Sequence, residues 1–420
     1  MTDSIFSLEG RGLKLDTAAD IESHLSPLAR AGAPKTITRL NLSGNTIGVD
    51  AAKALAPYLS KLTALEYANL ADIFTSRLLS EIPPALDALL QALLPLKNLH
   101  TINLSDNAFG LNTQAPLVKF LEKHVPLRHL ILNNNGLGPE AGTLVANALT
   151  RLAEAKKQEH GDKAAYLETI VCGRNRLENG SSTAWAKALA AHSSDLRILR
   201  MTQNGIRVEG MTALLKDGLK DASKLEVFDP QDNLLTVPGA QALVQVIGGW
   251  TRLRELSVAD TLLRARGGIL LAEALAKGNQ KDLEVLKLQY NEINAKGVAA
   301  LLHAAKTALP KLRRVELNGN MFSEDDSSIE ALSELFSARR KDFHADDDHD
   351  DEWGLDELDE LDEEEEEDED EEDVAEEDEE VNDKAEKELK LVDEAENENV
   401  SQKKDADVDA LADALGKTHV

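Results

Sequence analysis

One hydrophobic pattern recurs along the first 340 residues. Its full form is Leu-x-x-Leu-x-Leu-x-x-Asn-x-Leu-Gly, as in LRHLILNNNGLG at 127–138. Aligning the copies defines a ladder position, usually asparagine, at Asn45, Ile73, Asn107, Asn135, Asn175, Asn204, Asn233, Thr261, Asn291 and Asn320. Most intervals are 28–30 residues, with two longer ones of 34 and 40. A leucine pattern with this period predicts a solenoid of stacked, similar units.

Within each copy the pattern predicts a strand, a turn and a helix. HLIL and VLKL are typical of short strands, and GAQALVQVIGGW is typical of an amphipathic helix. Leucines of strand and helix face each other, so stacked units share one core. The predicted fold class is α/β, a leucine-rich repeat solenoid. We expect a ribonuclease-inhibitor-like horseshoe with parallel inner strands and outer helices. The ladder asparagine should satisfy backbone groups in the turn.

Four segments depart from the regular repeat. SLEGRGLKLD predicts a degenerate N-terminal cap, and 321–341 predicts the closing cap. Pro230 occupies a strand position in LEVFDPQDN, where the missing N–H should distort the strand. The 40-residue interval contains EAKKQEHGDKAA, which we expect to extend a helix-to-strand loop outward.

The ladder pattern breaks in LADIFTSRLLSEIPPAL, at 70–86. Ile73 stands at the ladder position and Arg77 follows it. We interpret this loop as a contact surface, with Arg77 exposed on the rim outside the shared core. Arg174 and Arg176 also follow a strand, and ordinary solvated arginines are the alternative for all three. Asn134 precedes ladder residue Asn135, either as a turn former or with its amide facing a partner.

The net charge of −30 is concentrated at the C-terminus. Residues 342–381 contain 28 Asp and Glu and no Lys or Arg, and 382–420 carry −5, which leaves about +3 for 1–341. We therefore predict a folded domain at 1–341, an acidic disordered tail at 342–381, and a charged segment at 382–420 with a short helix. A tail of this charge disfavours nucleic acid as a partner.

Catalytic and metal-binding signatures are missing from the sequence. Gly416–Thr418 lacks the upstream glycine of a P-loop, because Leu411 stands there. DDDHDDEW has Asp351 where a calcium loop needs glycine. Cys172, the single cysteine, is predicted to be a buried apolar residue. It excludes an intramolecular disulfide framework and fits a reducing compartment. No apolar run is long enough for a bilayer. We expect no enzyme, metal, cofactor or membrane.

Several long stretches are not shared by generic leucine-rich repeats. They include DIFTSR followed by EIPPAL, LHTINLSDNAFG, LNNNGLGPEAG, CGRNRLENGS, QNGIRVEG and ELNGNMFSEDD. In these stretches the sequence resembles the Ran GTPase-activating proteins, specifically their fungal form. The resemblance implies stimulation of GTP hydrolysis by the small GTPase Ran, with the hydrolytic machinery supplied by Ran. It also implies a role in maintaining the Ran gradient for nucleocytoplasmic transport. We expect a cytoplasmic location and leave open a concentration at the nuclear periphery.

The resemblance also implies roles for individual residues. Asn134 would hold Ran's own glutamine against the attacking water, and Arg77 would anchor the complex without acting as an arginine finger. The expected Ran-binding residues are Asp72, Asn133, Arg174, Arg176, Asn179 and Arg207. Relatives commonly have histidine where this chain has Asn133, so we assign no catalytic role there.

The expected partner is Ran in its GTP-bound form with magnesium, together with a Ran-binding protein. We expect a monomer that carries no cofactor of its own. Two other classes of function remain open. One is a binding module like the leucine-rich ribonuclease inhibitor, although the cysteine-rich inner face of that protein is missing here. The other is a histone or ribosomal-protein chaperone that uses the acidic tail.

Overall fold

The computed structural model describes residues 4–30, 33–342, 353–362 and 414. The described residues up to 362 divide into two compact units, with the boundary between Ile198 and Leu199. Each unit repeats a short strand, a turn and a helix, so the predicted class of α/β leucine-rich repeat fold is confirmed. Among the helices of the described residues, none is both long and apolar enough to cross a membrane.

The first unit contains a parallel sheet and a small strand pair. Six strands form the parallel sheet in the order β1, β3, β5, β6, β7, β8, and β2 pairs with β4. Ile102 of β6 lies opposite Leu130 of β7, and both are fully buried. The strands are β1 (Ile5–Ser7), β2 (Lys14–Leu15), β3 (Arg39–Asn41), β4 (Thr46–Ile47), β5 (Tyr67–Asn69), β6 (Thr101–Asn103), β7 (His129–Ile131) and β8 (Thr169–Val171).

Helices of the first unit return the chain from one strand to the next. Their apolar residues, such as Leu89 and Leu149, are fully buried. Burying one such side chain contributes about 1.5–3 kcal/mol relative to leaving it exposed. The helices are α1 (Ala18–Glu22), α2 (Ala33–Thr36), α3 (Val49–Leu59), α4 (Ile82–Leu93), α5 (Gly110–Thr113), α6 (Ala115–Leu121), α7 (Gly138–His160) and α8 (Glu178–His192).

The second unit repeats the same arrangement. The strands are β9 (Ile198–Arg200), which starts at the boundary between the units, β10 (Val227–Asp229), β11 (Glu255–Ser257), β12 (Val285–Lys287), β13 (Arg314–Glu316) and β14 (Gly354–Leu355). Strands β10 to β14 pair in sequence order, all in parallel. The helices are α9 (Val208–Ala213), α10 (Thr236–Val246), α11 (Arg264–Ala276), α12 (Ala295–Thr307) and α13 (Ser327–Asp342), and a π-helical turn (Leu214–Leu219) follows α9.

The irregular repeats have different outcomes in the structure. Pro230 follows β10 directly and leaves only two paired positions with β11, which confirms the predicted distortion. The polar insertion, in contrast, does not extend a loop. It lengthens α7 to 23 residues and ends in the 3-10 turn Gly161–Lys163, so that prediction was wrong. Its Ala, Glu, Lys and Gln residues are strong helix formers, which explains why the helix continues.

The C-terminal strap, residues 353–362, is folded against the last repeat. Its strand β14 adds to the edge of β13, and Arg314 donates a hydrogen bond to the Leu355 carbonyl at 2.8 Å. The Asp356 carboxylate accepts from the backbone N–H groups of Leu317 and Asn318, at 2.6 and 3.0 Å. The Arg313 guanidinium lies 5.9 Å from the centroid of the Trp353 ring.

The strap corrects part of the predicted disordered tail at 342–381. Composition alone gives these residues a large negative charge, but an exposed strand edge offers unpaired N–H groups that a carboxylate can accept from. The rest of the predicted tail, and the segment 382–420 apart from Ala414, lie outside the described residues. Ala414 has helical backbone geometry.

We expect loss of the strap to open the edge of β13. A chain ending at residue 342 should be less stable than one ending at residue 362 by about 1–3 kcal/mol, because two backbone N–H groups lose a charged acceptor. The Leu317 and Asn318 amides should also exchange hydrogen faster. Urea unfolding and amide exchange of both truncated chains measure these effects. Equal stability and equal exchange would show that the strap does not cap the sheet.

Several buried or half-buried polar side chains contact backbone carbonyls of the neighbouring repeats. In the first unit, His192 accepts from the Leu167 N–H through Nδ1 at 3.2 Å and contacts the Leu149 carbonyl through Nε2 at 3.0 Å. In the second unit, Gln280 donates to the Ile247 carbonyl at 2.6 Å. The set consists of His124, Lys156, His192, Trp250, Gln280 and Arg339. Some of these carbonyls, such as those of Leu94 and Ile247, lie at helix ends, where the helix geometry leaves them unpaired.

Acid should destabilise the first unit through His192. Burial lowers its pKa from the ordinary value of 6.5 to about 3. Below the unfolded pKa the unfolded chain binds a proton that the folded chain does not, so stability falls as the pH decreases from about 6.5 toward 3. The expected loss between pH 7.5 and pH 5 is about 2 kcal/mol.

Denaturant unfolding of the wild type and of His192→Gln at several pH values tests this prediction. Glutamine keeps one donor and one acceptor, as Gln280 does at a similar place in the second unit, but it does not titrate. His192→Gln should therefore show a weaker pH dependence over this range. An unchanged slope would contradict the assignment to His192.

Candidate functional site

The candidate site lies on the loop rim of the first unit, where the chain leaves each strand. The residue before each ladder position has a positive φ, and we call these residues the rim row. In the first unit the rim row is Gly44, Asp72, Asp106, Asn134 and Arg174, with φ between 50° and 69°. In the second unit it is Gln203, Asp232, Asp260, Tyr290 and Gly319. Asn, Asp and Gly favour this left-handed conformation, which explains several of the residues in the row.

Ladder asparagines hold the rim row in place from below. Asn135 is fully buried, and its Oδ1 accepts from the Asn107 N–H at 3.0 Å. Its Nδ2 donates to the carbonyls of Leu104 and Asn133, both at 3.1 Å. The same pattern recurs at Asn107, which confirms the structural role predicted for the ladder position.

The structure shows that Asn134 is a turn residue, and a contact of its amide with a partner stays a prediction. Its φ of 53° makes it a turn residue, and its side chain lies half-buried at the rim. Its backbone N–H donates to the Gly173 carbonyl at 2.9 Å. Its Nδ2 donates to the Asp106 carboxylate at 2.7 Å. The amide therefore has a fixed place beside an acid that the sequence analysis did not single out.

The buried position of Asn133 differs from its prediction as a Ran-binding residue. Its side chain is buried, with 2% of the residue exposed, and its backbone N–H donates to the Ser105 hydroxyl at 3.1 Å. Its carbonyl accepts from the Asp106 N–H at 3.0 Å. Asn133 consequently supports the rim from inside, because a side chain this deeply buried offers little surface to a partner.

Of the other predicted residues, four lie in turns of the first unit or at the start of its last helix, and one lies in the second unit. Asp72 is in the rim row, and its carboxylate accepts from the Thr75 hydroxyl. Arg174 and Arg176 flank the ladder residue Asn175, both with positive φ, and Asn179 lies in the first turn of α8. Arg207 belongs to the second unit, where it directly precedes α9.

At Ile73 the ladder asparagine is missing, and backbone groups make the ladder hydrogen bonds instead. Ile73 is fully buried, and its N–H donates to Oδ1 of Asn107 at 3.0 Å. Its carbonyl accepts from the Ile47 N–H at 2.8 Å, where other repeats use an asparagine side chain. The following residue, Phe74, bridges to Thr46 and is also buried. The loop is thereby drawn onto the small β2–β4 sheet.

Arg77 is buried in this arrangement, which corrects the prediction of an exposed rim arginine. Only 7% of its side chain is exposed. Its guanidinium pairs with Asp16 and donates to the Thr46 hydroxyl at 2.8 Å and the Thr46 carbonyl at 3.0 Å. The pairing lowers the pKa of Asp16. The guanidinium makes four hydrogen bonds to three residues, which hold the loop rigidly, so Arg77 fixes the shape of the loop rather than extending from it.

Two leucines beside Arg77 are the exposed part of the same loop. Leu78 is 68% exposed and Leu79 is 60% exposed. Their position after a buried arginine could not be read from the hydrophobic pattern, because the pattern predicts burial for leucine. Asp16 was missed for a related reason, since it lies 61 residues from Arg77 in sequence.

The sequence predicts that no part of the chain holds a metal site. Among the residues that the structure describes, no three or more His, Cys, Asp and Glu side chains are grouped so that they could hold a metal ion. Cys172 is fully buried next to Asn175, and burial raises the pKa of its thiol. A buried thiol is unreactive, as the sequence predicted.

Comparison with known proteins finds a matching family model and several related proteins. Residues 33–56, 192–215 and 279–302 match the family model described as Leucine Rich repeat. The chain is 40% identical over 341 residues to Ran GTPase-activating protein 1 of Saccharomyces cerevisiae, covering 80% of this chain and 82% of that protein. It is 35% identical over 340 residues to the Ran GTPase-activating protein of Drosophila melanogaster, covering 79% and 55%.

A more distant relative belongs to a different class of protein. The ribonuclease inhibitor of Sus scrofa is 29% identical over 226 residues, which is 53% of this chain and 45% of that protein. This match is both shorter and weaker than the two above.

Proposed function

Because the chain belongs to the family of Ran GTPase-activating proteins, we propose that it stimulates the hydrolysis of GTP bound to Ran. The observation that carries the proposal is the 40% identity with the yeast protein over 82% of its length. In this proposal the chain is not itself an enzyme and needs no cofactor. GTP, magnesium and the hydrolytic residues belong to Ran.

The mechanism we propose is positioning of Ran's catalytic glutamine by Asn134. An asparagine with a fixed backbone on the rim can hold a second amide in one orientation. Arginine fingers in other GTPase systems accelerate hydrolysis by about 10³–10⁵-fold, but they must reach the phosphates. Arg77 is engaged by Asp16 and Thr46 inside the first unit, which favours positioning over donation of a positive charge.

The proposed Ran-binding surface of the first unit is the rim beside Asn134. It comprises Asp72, Arg174, Arg176 and Asn179. We also propose Arg207, which lies in the second unit, as a contact with Ran. Arg77 contributes indirectly by holding its loop, and the exposed Leu78 and Leu79 give that loop an apolar contact surface. Asn133 supports this rim from below.

In the cell, the proposed activity would act on Ran·GTP in the cytoplasm. Hydrolysis there would maintain the Ran gradient used in nucleocytoplasmic transport. We further propose that the chain acts as a monomer, with a Ran-binding protein as an additional component of the complex. Concentration at the nuclear periphery is part of the same proposal.

Single-turnover hydrolysis of GTP on purified Ran tests the proposal. Addition of the chain should increase the rate over that of Ran alone, and the increase should saturate with the concentration of the chain. A Ran variant lacking the catalytic glutamine should show no such increase. No stimulation by the folded chain would overturn the proposed function. Inhibition of a ribonuclease, or binding of histones through the acidic tail, would then favour the other classes.

A further inference from the structure

We propose that Asp106 is a positioning residue that orients the Asn134 amide so that its carbonyl oxygen faces Ran. This inference rests on the proposed function, in which Asn134 holds Ran's glutamine. It adds a residue and a hydrogen-bond direction to that function. The observation behind it is the hydrogen bond from Asn134 Nδ2 to the Asp106 carboxylate, at 2.7 Å.

The backbones of both residues are fixed before any partner binds. Asp106 has φ 60°, and its N–H donates to the Asn133 carbonyl at 3.0 Å. Asn134 has φ 53°, and its N–H donates to the Gly173 carbonyl at 2.9 Å. Asp106 is buried, with 9% of the residue exposed. The carboxylate therefore meets the amide in a preorganised position rather than on a mobile loop.

The Asp106 carboxylate determines which end of the Asn134 amide turns toward it. An ionised aspartate only accepts hydrogen bonds, whereas an asparagine side chain has a donor end and an acceptor end of nearly equal shape. Asp106 can therefore hold Nδ2, and Oδ1 of Asn134 must turn away. A neutral neighbour such as asparagine would allow either orientation. In the described part of the chain, no donor is bonded to Oδ1 of Asn134.

The resulting acceptor matches the chemistry of a glutamine side chain. Asn134 Oδ1 would accept from the glutamine N–H, which leaves the glutamine oxygen to accept from the attacking water. The negative charge of Asp106 polarises this chain of hydrogen bonds and strengthens it. No proton leaves Asp106, because the residue acts only by orientation.

The other acidic residues of the rim row are not followed by an asparagine in the next repeat, as Asp106 is by Asn134. The Asp72 carboxylate accepts from Thr75 in its own loop. In the second unit Asp232 and Asp260 are successive rim-row residues, and burial together with the charge of Asp260 raises the pKa of Asp232. Within the described rim row, an acid followed by an asparagine in the next repeat occurs at Asp106 and Asn134.

The test compares Asp106→Asn with Asp260→Asn, a matched change of another rim-row acid with φ 51°. Asparagine keeps the size of the side chain and tolerates a positive φ, so both variants should fold. Asp106→Asn should lower the maximal single-turnover rate of GTP hydrolysis on Ran by about 10–100-fold, since misplacement of about 1 Å can cost 10²-fold. The concentration that gives half the maximal rate should stay within about twofold. Asp260→Asn should leave both values unchanged.

A double-mutant cycle separates orientation from a general structural effect. If Asp106 acts through Asn134, then Asp106→Asn should have no further effect in an Asn134→Gly background. Independent losses that multiply would overturn the proposal. So would a wild-type maximal rate for Asp106→Asn, while the proposed function would stand.

An NMR measurement without Ran distinguishes failure of the proposed orientation from failure of the proposed function. The side-chain NH₂ resonances of Asn134 in the NMR spectrum should shift when Asp106→Asn removes the charged acceptor, and they should not shift in Asp260→Asn. Unshifted resonances in Asp106→Asn would overturn the proposed orientation. Failure of the wild-type chain to stimulate Ran would instead overturn the proposed function.

Discussion

Replacing Arg77 with alanine is expected to lower both the stability of the first unit and the stimulation of Ran. The substitution removes hydrogen bonds from a charged group to the hydroxyl and carbonyl of Thr46, which should cost about 2 kcal/mol. The loop 72–81 would then lose its attachment to the small β2–β4 sheet. Because Leu78 and Leu79 depend on that loop, the rate at limiting concentration should decrease at least about tenfold. Thermal unfolding and single-turnover hydrolysis measure the two effects.

The neighbours of Arg77 distinguish positioning from direct contact with Ran. Asp16→Asn and Thr46→Val should reproduce part of the loss, because each removes a partner that pins the guanidinium. Lys14→Ala is the matched control, since Lys14 pairs with the other oxygen of Asp16 at 3.4 Å and is largely exposed. Full activity in Asp16→Asn and Thr46→Val together with an inactive Arg77→Ala would indicate that Arg77 contacts Ran directly.

The repeat architecture was predictable because its determinants are local and periodic. Each copy carries its own strand leucines, ladder residue and helix, so the spacing of Asn107, Asn135 and Asn175 indicates both the fold and the hydrogen-bonded ladder. The same spacing placed Asn134 and Arg174 in consecutive turns on the same edge. The positive φ of the rim row follows from the turn that every ladder residue stabilises.

The features that sequence reasoning missed depend on contacts between distant residues. Arg77 is surrounded by groups that lie 31 and 61 residues away, so its burial is invisible to a pattern of leucines. Asp106 and Asn134 are 28 residues apart, and the period explains why they meet but not which atoms bond. The strap could not be predicted from its charge, because the docking edge on β13 belongs to the last repeat.

Replacing Asn134 with glycine is expected to abolish most stimulation of Ran while leaving the fold unchanged. Glycine adopts the φ of 53° without strain, whereas alanine would add about 1–2 kcal/mol of backbone cost and confuse stability with activity. We expect the maximal single-turnover rate at saturating protein to fall at least about 100-fold, equivalent to about 2.7 kcal/mol of barrier. The melting temperature should fall less than in Asn135→Ala, because the ladder bonds of Asn135 remain and one hydrogen bond, to Asp106, is lost.

Two control variants distinguish a functional role of Asn134 from a purely structural one. Asn135→Ala should have the opposite profile, with a lower melting temperature and a rate reduced only as the folded fraction falls, since it leaves buried backbone groups without partners at a cost of about 1–3 kcal/mol each. Gln203→Gly removes another rim-row amide, from the second unit, and should preserve the rate. If Asn134→Gly unfolds as readily as Asn135→Ala and loses activity in proportion, Asn134 is a turn former alone. In that case Ran's glutamine must be positioned by another residue of the rim.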